Sequence, residues 1–272
     1  MKRTKKILVT LLCAVLLVTG TVAVTVAYLT STTEVATNTF TVGNVKIILN
    51  EADVDEDAFT NDVNYDHSYT TDEGTVTVDR DTMNAYHIFP NGTYDKDPMV
   101  SVKADSEDCY IRMIVTVSDI EALKAAMPDF VATDGTFLLQ NVVNWDSQAW
   151  PFYEYREISE KVDDTTTITK GVYEFRYEKM YSVPENATTV DVTSDITEEN
   201  GKYVQLEPLF TKITLPADIN NEELAHLDNV TIDIVAHAMQ ADGFVDTTND
   251  AGKVTTAEQN AWDAFPATQV SN

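Results

Sequence analysis

The chain has 272 residues, with 45 Asp+Glu against 18 Lys+Arg, a formal charge of −27 at pH 7 and two cysteines. That charge repels phosphate backbones and anionic membrane surfaces, which argues against nucleic acids and acidic bilayers as partners. With Cys13 in an N-terminal leader, only Cys109 remains, so an intrachain disulfide is excluded; a chain of this size buries enough apolar surface to fold without one.

A cationic start (Lys2, Arg3, Lys5, Lys6) runs into an apolar stretch from Ile7 to Val18 and then into small residues ending at Thr25-Val26-Ala27. This is the layout of a secretory signal peptide over residues 1–27, with cleavage expected near Ala27. The competing reading is an uncleaved anchor, since about 20 predominantly apolar residues can span a bilayer. Thr19-Gly20-Thr21 breaks the run and favours a signal, and Leu12, where a lipoprotein has a small residue, argues against lipidation of Cys13. Losing Lys2, Arg3, Lys5 and Lys6 leaves 14 Lys+Arg against 45 Asp+Glu, a formal −31 on an exported chain.

Beyond the leader the dominant pattern is period-two alternation in β-branched and aromatic runs, which predicts strands. They fall at Phe40–Leu49, Thr75–Asp79, Met99–Lys103, Tyr110–Val117, Trp150–Glu157, Val172–Glu178, Tyr203–Leu206, Leu209–Leu215 and Thr231–Gln240. Within 110–117, Ile111, Met113, Val115 and Val117 share a core face; within 231–240, Ile232, Ile234, Ala236 and Ala238 do the same. Thr231, Asp233 and His237 then lie on a wetter face. Residues 51–74 and 160–170 read as polar loops.

Helices are few and short. Ser118 with the acids after it predicts a capped turn over 119–127, stopped by Pro128, and two more are expected at Asn221–Leu227 and Thr256–Phe265. About nine strands with such small helices predict an all-β sandwich, not alternating α/β. With no repeat or Pro- or Gly-rich linker, the chain divides into signal (1–27), N-terminal segment (28–39), one β-sandwich domain (40–266) and tail (267–272).

Motifs for catalysis are missing: there is no HExxH, no pair of histidines at i, i+4, no G-x-S-x-G, P-loop or dinucleotide fingerprint. His67, His87, His226 and His237 are scattered, and Cys109, opening a strand beside Glu107 and Asp108, reads as a buried structural thiol. Asp53, Asp55, Asp57 and Asp62 form the best candidate metal loop, alternate carboxylates offering hard oxygens to calcium, with Asp163-Asp164 and Asp246/Asp250 weaker. It is not an EF-hand, because Ala58 stands where that loop needs Gly and Asn64 where it needs Glu. A solvated acidic loop is the simpler expectation. Trp145, Trp150, Phe152, Tyr153 and Tyr155 either pack the core or stack on sugar rings; alternation sets Phe152 apart from Tyr153 and Tyr155. Arg112, among apolar strand residues, is expected to pair with a carboxylate.

Three stretches carry a resemblance. They are Ala27-Tyr28-Leu29-Thr30-Ser31-Thr32 continuing through Thr39-Phe40-Thr41-Val42-Gly43-Asn44-Val45; Phe89-Pro90-Asn91-Gly92-Thr93-Tyr94-Asp95-Lys96-Asp97-Pro98 with the Cys109-Tyr110-Ile111-Arg112-Met113 strand; and Ala236-His237-Ala238-Met239-Gln240-Ala241-Asp242-Gly243-Phe244. Together they resemble the TasA/camelysin family of secreted bacterial proteins, whose signals are removed by a SipW-type peptidase. The resemblance implies a jelly-roll sandwich and an extracellular or cell-surface matrix subunit; that the chain is not an enzyme is expected from the missing catalytic motifs, since some camelysin-like relatives are described as metalloendopeptidases. It also implies assembly by donation of the N-terminal segment, here Tyr28, Leu29, Thr30, Thr32, Val35 and Thr37, as a strand to the next subunit's sheet. The same segment could instead fold back on its own sheet. The alternative function is a monomeric extracellular calcium- or glycan-binding module; a camelysin-type metalloendopeptidase stands third, without motif support.

Overall fold

The computed structural model describes residues 31–32, 39–40, 45–54, 63–162, 166–195, 197, 199–249 and 252–266. The described chain is all-β, antiparallel throughout, with short helices in the connections and after the last strand. In order, β1 is Ser31–Thr32, β2 Thr39–Phe40, β3 Lys46–Ala52, β4 Tyr65–Thr71, β5 Gly74–Asp81, β6 Thr93–Asp95, β7 Met99–Lys103 and β8 Cys109–Val117. After helix α1 (Ile120–Ala126) come β9 Phe152–Lys161, β10 Thr167–Arg176, β11 Val190–Ser194, β12 Gly201–Gln205 and β13 Lys212–Thr214. Helix α2 (Asn221–Leu224), β14 Ile232–Gln240, β15 Thr247–Thr248, β16 Val254–Thr255 and helix α3 (Ala257–Ala264) complete it.

Two sheets share one core. The first has the order β1-β14-β8-β10-β9; the second runs β2-β3-β5-β4-β11-β12-β7, and β7 also pairs with β3. Ile111, Met113, Val115 and Val117 of β8 and Ile234, Ala236 and Ala238 of β14 meet Ile47, Leu49, Val100 and Val102 in this core, as alternation predicts. The second sheet curls, since its ladder returns from β7 to β3. Ile48, which faces away from Ile47 and Leu49, joins Tyr65, Val190, Val192 and Tyr203 in a separate cluster inside the curl.

Beside that cluster is a polar centre. Arg80 Nε donates to Asn50 Oδ1 (2.8 Å), so Asn50 Nδ2 is left to donate to His67 Nε2 (3.0 Å). The imidazole proton therefore sits on Nδ1, and the Gln205 side-chain amide, 3.0 Å from Nδ1, must turn its oxygen toward it. Arg80 Nη1 is held by Asp97 at 3.0 Å. Burial, reinforced by Arg80, lowers the His67 pKa to about 4.

Several expectations are corrected. The stretch 51–74 is not one polar loop: Glu51 and Ala52 end β3 and Tyr65–Thr71 is a strand, hidden in the sequence because buried His67 is polar. The 160–170 loop is shorter than expected, with β9 running to Lys161 and β10 starting at Thr167. Asp119, not Ser118, caps α1, accepting from Ala122 N at 3.1 Å. His237 is not on a wet face; it lies buried under α3, where Arg112 Nε donates to its Nδ1 at 3.0 Å. There, Arg112 pairs with Glu174 at 3.2 Å, the carboxylate partner expected for it, and Trp262 of α3 and Phe265 close the face.

Candidate functional site

A cleft of about 990 Å³ is lined by residues of β3, β14 and the α1 and α2 regions. Its apolar wall comes from Leu123 and Met127 at α1, Leu139 and Val142 beyond it, and Leu215 and Leu227 further along. Pockets of this size and lining are the usual places for ligands or inserted segments.

Two extended stretches line it. One is the start of β14, Ile232–Ile234. Along its far side β14 pairs with β8 through its whole length, but on the cleft side its described ladder partner is β1 alone, Ser31 opposite Ala238 and Thr32 opposite His237. The other stretch is Met83–Phe89, which joins β5 to the turn before β6. Its exposure alternates residue by residue: Asn84, Tyr86 and Ile88 turn inward, while Met83, Ala85, His87 and Phe89 turn out. Asn84 anchors it to the end of β3, donating to Ala52 O (3.0 Å) and accepting from Val54 N (2.9 Å).

One buried ion pair sits in this mixed lining. Lys96 Nζ reaches both carboxylate oxygens of Glu51, at 2.6 and 2.8 Å, and both side chains are under 10% exposed. The Tyr86 ring lies 5.8 Å from the ammonium. Asp233 borders the same cleft; burial raises its pKa, and Lys170 and Lys96 oppose the shift. Charges taken out of water must be paired and hydrogen-bonded, so this pair is the polar landmark of the site.

Of the residues singled out in the sequence, Thr32 falls in β1, while Tyr28, Leu29, Thr30, Val35 and Thr37 lie outside the described residues. The pairing of Thr32 is with its own chain, the fold-back arrangement. Asp53 follows β3, and Asp55, Asp57 and Asp62 lie outside the described residues. Among the described residues no group of three or more His, Cys, Asp or Glu is placed to hold a metal. Cys109 is fully buried, with its pKa pushed up to about 12 by burial and then by Asp108, an inert thiol as expected.

The aromatic group divides. Trp150 is in the core and donates from Nε1 to Glu207 O at 2.7 Å. Trp145 packs edge-on against Phe152 and Phe175. A β-bulge in β9 changes the expected facing: Phe152 is opposite Phe175 and Tyr155 opposite Tyr173, with Tyr153 the extra residue. Phe152 and Tyr155 thus follow the core-side partners Phe175 and Tyr173, and Tyr153 stacks instead on the Arg176 guanidinium, 3.2 Å away. That guanidinium is also over Trp262, while Tyr153 and Phe152 themselves stay exposed at 52% and 45%.

Sequence reasoning missed the cleft because its parts are far apart in the chain. The one available signal was Asn84-Ala85-Tyr86-His87-Ile88-Phe89, an alternation too polar to read as a strand. Among the described residues no helix is long and apolar enough to cross a membrane. Comparison with protein-family models, curated proteins and solved structures finds no match to this chain.

Proposed function

We propose that this chain is exported and works by association, as a TasA-like extracellular matrix or surface-fibre subunit with a jelly-roll body. The observation that carries this reading is the cleft, whose apolar wall is flanked by Ile232–Ile234 of β14 and by the stretch Met83–Ile88. An extended segment entering it would add to the β14 ladder and bury alternate side chains, the physics of strand addition. The N-terminal segment has suitable chemistry: residues 28–39 contain no Pro or Gly, and Ser31–Thr32 already pair at the far end of the same edge. Donated from copy to copy in a head-to-tail manner, such a contact does not close and yields filaments.

The test uses mature protein beginning at Tyr28 beside a version lacking Tyr28–Asn38. Both are followed by sedimentation and electron microscopy over a range of concentrations. Filaments from the longer version alone support strand donation. Monomers from both, even with seeds of secreted material, refute it.

A further inference from the structure

Resting on the strand-donation reading, we propose that the Lys96–Glu51 pair is the specificity element of the cleft. It selects a hydroxyl-bearing residue, threonine or serine, on the strand entering from a second copy of the chain. Both side chains line the cleft and are nearly removed from water even before anything enters. The ammonium has three N–H groups, and its hydrogen bonds of 2.6 and 2.8 Å both go to Glu51. An entering strand closes the remaining N–H and the remaining carboxylate lone pairs off from solvent.

What the strand brings there decides the outcome. An aliphatic side chain desolvates the pair and returns no hydrogen bond. A charged side chain adds a third charge to a neutral pair, with the Asp233 carboxylate close by. A hydroxyl accepts from the ammonium and donates to the carboxylate in one small group. The backbone groups of the strand that face β14 are committed to the ladder, which leaves side-chain hydroxyls as the compact groups that both accept and donate. The chain's own N-terminal segment fits: six of residues 28–39 are Ser or Thr (Thr30, Ser31, Thr32, Thr33, Thr37, Thr39), and none is Lys or Arg.

The experiment measures the critical concentration for assembly of the mature chain by sedimentation, with each of these threonines changed singly to Val and to Ser. Valine matches threonine in shape and is at least as good a strand former, so propensity alone predicts no loss. The expected result is one position where Thr→Val raises the critical concentration about tenfold while Thr→Ser leaves it near native. That loss should vanish in a Lys96→Met/Glu51→Leu background, as a double-mutant cycle requires of a direct contact. A scan in which no position separates Val from Ser overturns the inference and leaves strand donation standing. Equal losses in both backgrounds overturn it too. A native mature chain that does not assemble at all removes the underlying reading as well.

Discussion

Single residues in this protein are held by partners of opposite character, and the consequences of removing one can be stated. Lys96→Met would leave the Glu51 carboxylate buried without its cation, a change expected to destabilise by about 3–5 kcal/mol. Removing both partners together, Lys96→Met with Glu51→Leu, should come within about 1 kcal/mol of native because no charge is stranded. Urea unfolding of the two variants checks this; equal losses would mean that packing, not charge, dominates. His237 offers a pH counterpart. Burial first, and then Arg112, lower its folded pKa to about 3 from the ordinary 6.5. Because the folded pKa is depressed, its contribution is full above pH 6.5 and declines as pH falls from 6.5 toward 3. His67, lowered to about 4, acts in the same direction. His237→Asn keeps an acceptor for Arg112 Nε but cannot protonate, so its stability should fall less steeply over that window than the native protein's. Parallel curves would refute the assignment.

At the scale of elements, Met99–Lys103 was legible to the residue and β8 and β14 to within one, because their apolar positions alternate cleanly and sit in one core. Strand β4 was not, since its inward residues include His67, whose burial depends on Asn50 and Gln205 from distant strands. The bulge that turns Tyr153 away from Phe152 is equally invisible in a period-two count. Helix α1 was legible from the acids at its start and the stop at Pro128, but its cap and its seat were not. It packs through Ile120 onto β10 at Gly171, where a Cβ would come within 2.7 Å of the Ile120 side chain. Gly171 is thus a site of close approach between helix and sheet. Gly171→Val should push Ile120 aside and cost about 1–3 kcal/mol, the usual range for overpacking. Adding Ile120→Ala to it should recover part of that loss. Thermal unfolding of both variants checks this, and a Gly171→Val protein as stable as native would mean that α1 moves freely.

For the whole molecule, the balance between association and repulsion follows from charge. Without residues 1–27 the chain carries a formal −31, and every copy added to a filament brings that charge against its neighbours. In the proposed filament the cleft would supply short-range attraction through apolar contact and a β ladder, neither of which is weakened by salt. Repulsion between exposed carboxylates is weakened, since the screening length falls to about 10 Å at 0.1 M salt and about 3 Å at 1 M. The critical concentration for assembly should therefore drop as sodium chloride rises, steeply at first and then levelling once screening is complete. Calcium chloride at matched ionic strength separates two causes. If it acts only by screening, the two salts give curves of similar shape. If the Asp53 loop binds calcium, assembly should be favoured more at millimolar calcium than at sodium of the same ionic strength, and Asp53→Asn should weaken the response. A critical concentration that rises with either salt would show that attraction between charges holds the copies together, and strand addition could not then be the driving contact.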